Sequence, residues 1–254
     1  MKVLAVANQK GGVGKTTTTA TLGALLAGRG RRVLLVDMDP QASLTRACGV
    51  EDCQGRGLAE VLGIADDGEL EVKHIALKQR PGLDLAPASI ALASCEIGLT
   101  TRLAREQTLK RALARVQGYD LALLDCGPSL GLLVVNALAA ADAVLVPTQA
   151  EQMAVYGLEL FLETVAKVRR AMNPGLEVLG IVATMVDTRT NHHRGALVAM
   201  RAAGLPLLDV TIGRSVRVAE AVAAGATIGE LEAGNPRAGE YDALAEEVDR
   251  WLSR

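Results

Sequence analysis

The residues with the clearest chemical meaning are Lys10-Gly11-Gly12-Val13-Gly14-Lys15-Thr16-Thr17. An apolar run, Val3–Ala7, precedes them and a helical pattern opens at Thr16. That is the strand–loop–helix context a phosphate-binding loop requires. Glycines let the backbone curl until successive N–H groups face one set of oxygens, and the helix N-terminus adds a partial positive charge. In such a loop Lys15 binds the β- and γ-phosphates and the Thr16 hydroxyl coordinates Mg²⁺. A second lysine, Lys10, opens the loop. A side chain there points away from its own phosphate cradle and can reach a neighbour's nucleotide; the plainer reading is a solvated surface lysine.

Acidic residues sit where this chemistry needs them. Asp37 and Asp39 follow the apolar run Val33–Val36, and Asp125 follows Leu121–Leu124. All three therefore fall at the C-terminal ends of strands, where open α/β sheets place ligands. Asp125 reads as the aspartate that holds Mg²⁺ through water. Of the pair, one faces the metal side while the other approaches the γ-phosphate and its attacking water. Helix capping is the competing explanation for each.

These loops must be carried by strands and helices in alternation, and the chain supplies them. Strand-like runs read Lys2–Ala7, Arg32–Asp37, Leu83–Ala86, Asp120–Asp125, Ala143–Pro147, Leu179–Met185 and Leu207–Val210. Most are continuously apolar, as parallel strands buried on both faces are. Helical patterns fall between them at Thr16–Gly28, Glu106–Val116, Leu130–Ala140, Val155–Ala171, Asn191–Ala203, Val216–Ala223 and Gly239–Leu252. The stretch Glu51–Pro81, rich in glycine and charge, reads as a short helix plus surface loops. No repeat or linker divides residues 1–254, so the expectation is one doubly wound α/β domain, a mostly parallel sheet with helices on both faces.

Bulk composition narrows the class further. Half of the 254 residues are apolar but only 2% are aromatic, so the core is built from Ala, Val, Leu and Ile. The net charge of −2 gives no overall attraction to nucleic acid or anionic lipid, and any DNA binding must come from a local patch. Cys48, Cys53, Cys95 and Cys126 show no CxxC spacing and read as reduced thiols of a cytoplasmic protein. No leader peptide and no run long enough to span a membrane is visible.

The string KGGVGKTT resembles the deviant Walker A motif of the ParA/MinD family of P-loop ATPases. Five further segments resemble ParA-type partition ATPases in order: VLLVDMDPQAS at 33–43, YDLALLDCGPSLG at 119–131, VLVPTQAEQMAVYGL at 144–158, GIVATMVDTRT at 180–190 and RSVRVAEA at 214–221. The resemblance covers nearly the whole chain. It implies an ATP hydrolase that dimerises around ATP and Mg²⁺, with slow turnover until a ParB-type partner and DNA stimulate it. It assigns Lys10 to the partner subunit's ATP and Asp39 to hydrolysis, close to the metal. It assigns Met185, Asp187 and Gly213 to the adenine pocket, and Arg189 and Arg217 to non-specific double-stranded DNA. The implied setting is the cytoplasm, on the nucleoid.

Two segments depart from the family pattern. Gly127-Pro128 stands where a Pro-Pro pair is usual, and Ile212-Gly213-Arg214-Ser215 replaces Ile-Pro-Arg-Asn. The stretch Asp187–Arg217 holds five arginines against two aspartates, a local basic excess consistent with phosphate contacts. His192 and His193 are adjacent and diverge on a helix, so they read as surface residues and not as a metal pair.

Other readings stay open. A relative positioning a different cargo would carry the same motifs. A MinD-like membrane ATPase needs a basic amphipathic tail, whereas Glu240–Leu252 is acidic on its polar side and is expected to pack on the core. A nitrogenase-iron-protein-like redox enzyme would need two cluster cysteines, and Cys95 and Cys126 read instead as packing residues.

Overall fold

The computed structural model describes residues 1–53, 55–64, 71–151, 154–187 and 189–254. Strands β1 (Lys2–Val6), β2 (Val33–Asp37), β3 (Leu77–Arg80), β4 (Leu83–Ala86), β5 (Leu121–Asp125), β6 (Ala143–Gln149), β7 (Glu177–Val186) and β8 (Leu207–Gly213) form one sheet. Its order is β3-β4-β2-β5-β1-β6-β7-β8. All neighbours are parallel except β3 against β4. This is the mostly parallel α/β architecture expected from the alternating pattern.

Helices α1 (Lys15–Gly28), α2 (Ser43–Ala47), α3 (Val72–Ile75), α4 (Ala91–Leu99), α5 (Thr108–Ala114), α6 (Leu132–Ala140), α7 (Ala154–Ala171), α8 (Asn191–Ala202), α9 (Val216–Ala223), α10 (Ile228–Leu231) and α11 (Pro236–Leu252) surround it. Strand alternation divides the core into two layers. Leu4, Leu35, Leu121 and Leu123 pack on one face with Leu22 and Leu26 of α1 and Leu244 and Val248 of α11. Val3, Ala5, Val36 and Leu124 pack on the other with residues of α4 to α7, including the single phenylalanine, Phe161.

Helix α11 packs on this core as expected: Tyr241, Leu244, Ala245, Val248 and Trp251 are buried. The Lys2 ammonium lies 4.8 Å from the centre of the Trp251 ring and donates to the Trp251 carbonyl at 2.7 Å, which pins the last helix to the first strand.

The structure adds elements that the pattern hid. Within Glu51–Pro81 it shows a π-helical turn at Glu60–Ile64, the four-residue α3 and the strand β3; residues 54 and 65–70 of that stretch lie outside the described residues. Strand β3 reads Leu-Lys-Gln-Arg and is largely exposed. It sits at the sheet edge, where no continuous apolar run is required and a lysine is favoured. Strands β6 and β8 end two and three residues later than expected, and β7 runs past both ends of its predicted range. Pro147, Thr148 and Gln149 of β6 pair with Val182, Ala183 and Thr184 of β7, so cross-strand hydrogen bonding extends these polar segments beyond their apolar cores.

Candidate nucleotide site

The phosphate loop leaves β1 at the middle of the sheet, between β5 and β6, where the chain's direction of travel across the sheet reverses. This is the switch point at which doubly wound folds bind ligands. Gly12 and Gly14 have φ of 71° and 85°, the left-handed region that glycine enters without a steric cost. The loop hands directly into α1, whose first residue is Lys15.

The two lysines take opposite directions. Lys15 is buried, and its ammonium donates to the Lys10 carbonyl across the loop at 3.0 Å. Burial lowers its pKa, an effect opposed by Asp125. The Lys10 ammonium lies on the rim, 2.6 Å from Glu151 Oε2 and 3.1 Å from Gln149 Oε1. Gln149 in turn donates to the Gly12 carbonyl and to the Met185 sulfur. The Lys10 ammonium is thus held by Gln149 at the end of β6 and by Glu151 just beyond it.

Register brings the carboxylates together. Asp37 and Asp125 are cross-strand partners at the C-terminal ends of β2 and β5. Alternation puts both side chains on the face that carries α1, with Leu35 and Leu123 two residues earlier. Thr16 Oγ1 donates to Asp125 Oδ2 at 2.7 Å, and Thr19 Oγ1 lies 3.3 Å from the other oxygen. Asp125 is almost fully buried, and burial, reinforced by Asp37, pushes its pKa up to about 8.

Asp37 serves the scaffold. Its Oδ2 accepts from the Thr45 N–H at 2.9 Å and hydroxyl at 2.7 Å, and its Oδ1 accepts from the Asp39 N–H at 3.1 Å. It ties α2 and the Asp39 loop to the end of β2. Asp39 is partly exposed and accepts from the Gln41 N–H. A β-carbon at Gly127 would sit 3.3 Å from Asp39 Cγ, so glycine at that departure from the family pattern leaves room for the carboxylate.

Asp125 and Asp39 therefore lie close enough to the buried Lys15 to act on its charge, with Asp37 behind them. A buried carboxyl whose pKa is raised by its surroundings is one that a cation would let ionise, and the hard oxygen donors of Thr16, Asp125 and Asp39 suit Mg²⁺. The residues fit a magnesium–nucleotide pair.

Next to the loop, Gly14, Thr17, Met185, Gly213, Ser215 and Tyr241 line a small cavity. Two of the three residues expected at the base, Met185 and Gly213, meet there. Met185 has φ of 53°, uncommon for a residue with a long side chain, at a register break in the β7–β8 pairing. Asp187 is placed elsewhere. Its two oxygens grip Arg189 in a bidentate pair at 2.9 Å, which holds the Asp187 carboxyl well below the usual carboxylate range.

The two arginines expected to bind DNA are exposed and paired within the chain: Arg189 with Asp187, and Arg217 with Glu220 and Glu232. Arg214 is exposed, and among the described residues its side chain has no ion-pair partner. His193 has a task beyond a surface role, because its Nδ1 accepts from the Asp187 N–H at 2.8 Å. A histidine two positions into a helix does not announce such a bond in sequence.

Cys95 and Cys126 are buried in the core, and burial raises both thiols above their ordinary range. Among the described residues no group of three or more His, Cys, Asp or Glu side chains is arranged to hold a metal on its own. No described helix is long and apolar enough to cross a membrane.

Comparison with known proteins agrees with this geometry. A family profile described as an AAA domain matches residues 1–178. The chain is 44% identical to the chromosome-partitioning ATPase Soj of Thermus thermophilus, covering 96% of this chain and 94% of that protein. It is 44% identical to the chromosome partitioning protein ParA of Caulobacter vibrioides, over 89% of this chain and 85% of the relative. The chain belongs to the ParA/Soj family of P-loop ATPases. Among solved structures, one described as cobyrinic acid a,c-diamide synthase from Mycobacterium smegmatis, with bound ATP analog and magnesium, superposes with a TM-score of 0.85. It shares 40% identity and covers 98% of this chain and 95% of that one.

Proposed function

We propose that this ParA/Soj-family ATPase binds Mg²⁺–ATP, dimerises around it, and in that form binds DNA non-specifically to move chromosomal or plasmid cargo. The observation that carries the reading is the divergence of the two loop lysines. Lys15 turns inward to its own loop, while Lys10 stands on the rim and is free to exchange its partner.

In the proposed cycle Lys15 leaves the Lys10 carbonyl for the β- and γ-phosphates. Thr16 and Asp125 hold Mg²⁺, with Asp39 beside them orienting the attacking water. When bound, the metal neutralises charge on the transferred phosphoryl group. Lys10 gives up Glu151 for the partner subunit's phosphates. That exchange is affordable, because the Lys10 and Glu151 side chains are about 40% exposed and such an ion pair is worth at most about 1 kcal/mol.

Arg189 and Arg217 are proposed to contact DNA phosphates. Each protomer offers few charges, so a dimer that doubles the patch gains affinity through multivalency and makes DNA binding depend on ATP. A ParB-type protein is the proposed activator of hydrolysis. The names of the Thermus and Caulobacter relatives support partition as the task.

The test combines sedimentation with ATP, ADP or no nucleotide, DNA binding under the same conditions, and phosphate release with and without a ParB-type partner. ATP-specific dimers that alone bind DNA support the reading. A protein that stays monomeric with ATP, or binds DNA equally well without it, overturns it.

A further inference from the structure

We propose that Arg237, at the start of α11, is a positioning residue for the nucleotide base and acts through Gly213. The proposal rests on the reading of the Met185–Gly213 cavity as the base pocket. Gly213 closes β8 and lines that cavity with Tyr241. A β-carbon at 213 would lie 1.5 Å from one terminal nitrogen of the Arg237 guanidinium and 2.4 Å from its central carbon. The arginine therefore fills the space that any other residue's side chain would take.

The first turn of α11 is organised to keep it there. Asn235 caps the helix by accepting from the Arg237 N–H, and Pro236 occupies the first turn. One helical turn on, Glu240 Oε1 pairs with Arg237 at 2.8 Å while its Oε2 accepts from the Gly213 N–H at 2.8 Å. The carboxylate thus bridges arginine and strand end. Arg237 Nε is buried with no acceptor among the described residues, so the guanidinium is fixed by Glu240 and by packing on the glycine.

Tyr241, the next residue, is 3% exposed and forms another part of the cavity wall. The same turn therefore sets the separation between Tyr241 and residue 213. No atom of this cluster is among the phosphate-loop contacts described above. Gly14 and Thr17 of the loop line the same cavity, but the Arg237–Glu240–Gly213 contacts involve no loop residue, so the larger influence falls on the base.

This separation gives the test. ATP and inorganic triphosphate, each with Mg²⁺, are titrated calorimetrically into the wild type, Gly213→Ala, Arg237→Ala and the double variant, with thermal melting as a check on folding. Overpacking against the guanidinium is expected to weaken ATP binding by Gly213→Ala about tenfold or more. Triphosphate binding is expected to stay within about twofold of wild type, since no substituted residue belongs to the loop. Adding Arg237→Ala removes the clash, so ATP affinity returns to that of Arg237→Ala alone. Arg237→Ala by itself loosens the wall and lowers ATP affinity about fivefold. That single variant carries the test if Gly213→Ala does not fold.

Equal losses for ATP and triphosphate, or additive losses in the double variant, overturn the role of Arg237. A wild-type protein that binds ATP no more tightly than triphosphate removes the base pocket itself, and the proposal with it.

Discussion

The phosphate loop with its carboxylate floor and the rim formed by the β7–α8 connection and the start of α9 are built differently. In the floor, Lys15, Asp37 and Asp125 are buried and each has hydrogen-bond partners in the nucleotide-free chain. On the rim, Arg189 and Arg217 are half to nine-tenths exposed and paired with exposed or half-buried acids, Arg189 with Asp187 and Arg217 with Glu220 and Glu232. Burial makes each floor contact costly to lose, whereas a solvent-screened ion pair is exchanged at little cost. The difference suits the proposed cycle, in which the site is sheltered and the arginine surface exchanges partners.

The largest expected effect breaks the floor. Lys15→Ala is expected to lower phosphate release at saturating Mg²⁺–ATP by about a hundredfold or more, as loss of a charge aimed at the transition state does. Residual turnover within a few-fold of wild type would place the catalytic charge elsewhere.

Lys10→Ala sharpens the contrast between the two lysines. Sedimentation with ATP is expected to show monomer at concentrations where the wild type is dimeric, a shift of roughly tenfold or more in dimer affinity. Undiminished dimers would leave Lys10 as a surface lysine bound to Glu151.

Reversing the rim charges, with Arg189→Glu and Arg217→Glu together, is expected to spare dimerisation and cost about tenfold in DNA affinity. The salt dependence of what remains should be shallower, since fewer counterions are released. Retention of both affinity and slope would point to other cations, with Arg214 the first to examine.

The smallest expected effect concerns the floor without nucleotide. Asp125 titrates near 8 in the fold, well above an unfolded aspartate. Its contribution to stability is therefore fully present below about pH 4, the unfolded value, and is lost as pH rises from there through about 8. Asp125→Asn is expected to raise the melting temperature of the nucleotide-free protein at pH 9 by at least a few degrees. At pH 4 the variant and the wild type should melt alike. A lower melting temperature at pH 9 would mean that the buried carboxylate stabilises the fold.

Much of the fold was legible because buried parallel strands are written as apolar runs. β1, β2, β4 and β5 appear within a residue or two of their observed ends. β3 was not legible, because an exposed edge strand needs no apolar code. α2 escaped because its fixing point is Asp37, whose bonds to Thr45 depend on a turn of chain that periodicity does not describe. The glycine loop was legible because its geometry is local. The His193–Asp187 bond and the Arg237–Glu240–Gly213 cluster were not.

By itself the sequence determined the alternation of strands and helices, the phosphate loop, and which lysine belongs inside it. These follow from backbone sterics and hydrophobic period, which act over a few residues. Tertiary structure decided that Asp37 supports while Asp125 meets Thr16, and that Asp187 turns to Arg189. It also put the Arg237 guanidinium in the space beside Gly213. Each of those outcomes depends on strand register or helix docking, which brings together atoms far apart in the chain and leaves room for only one of them.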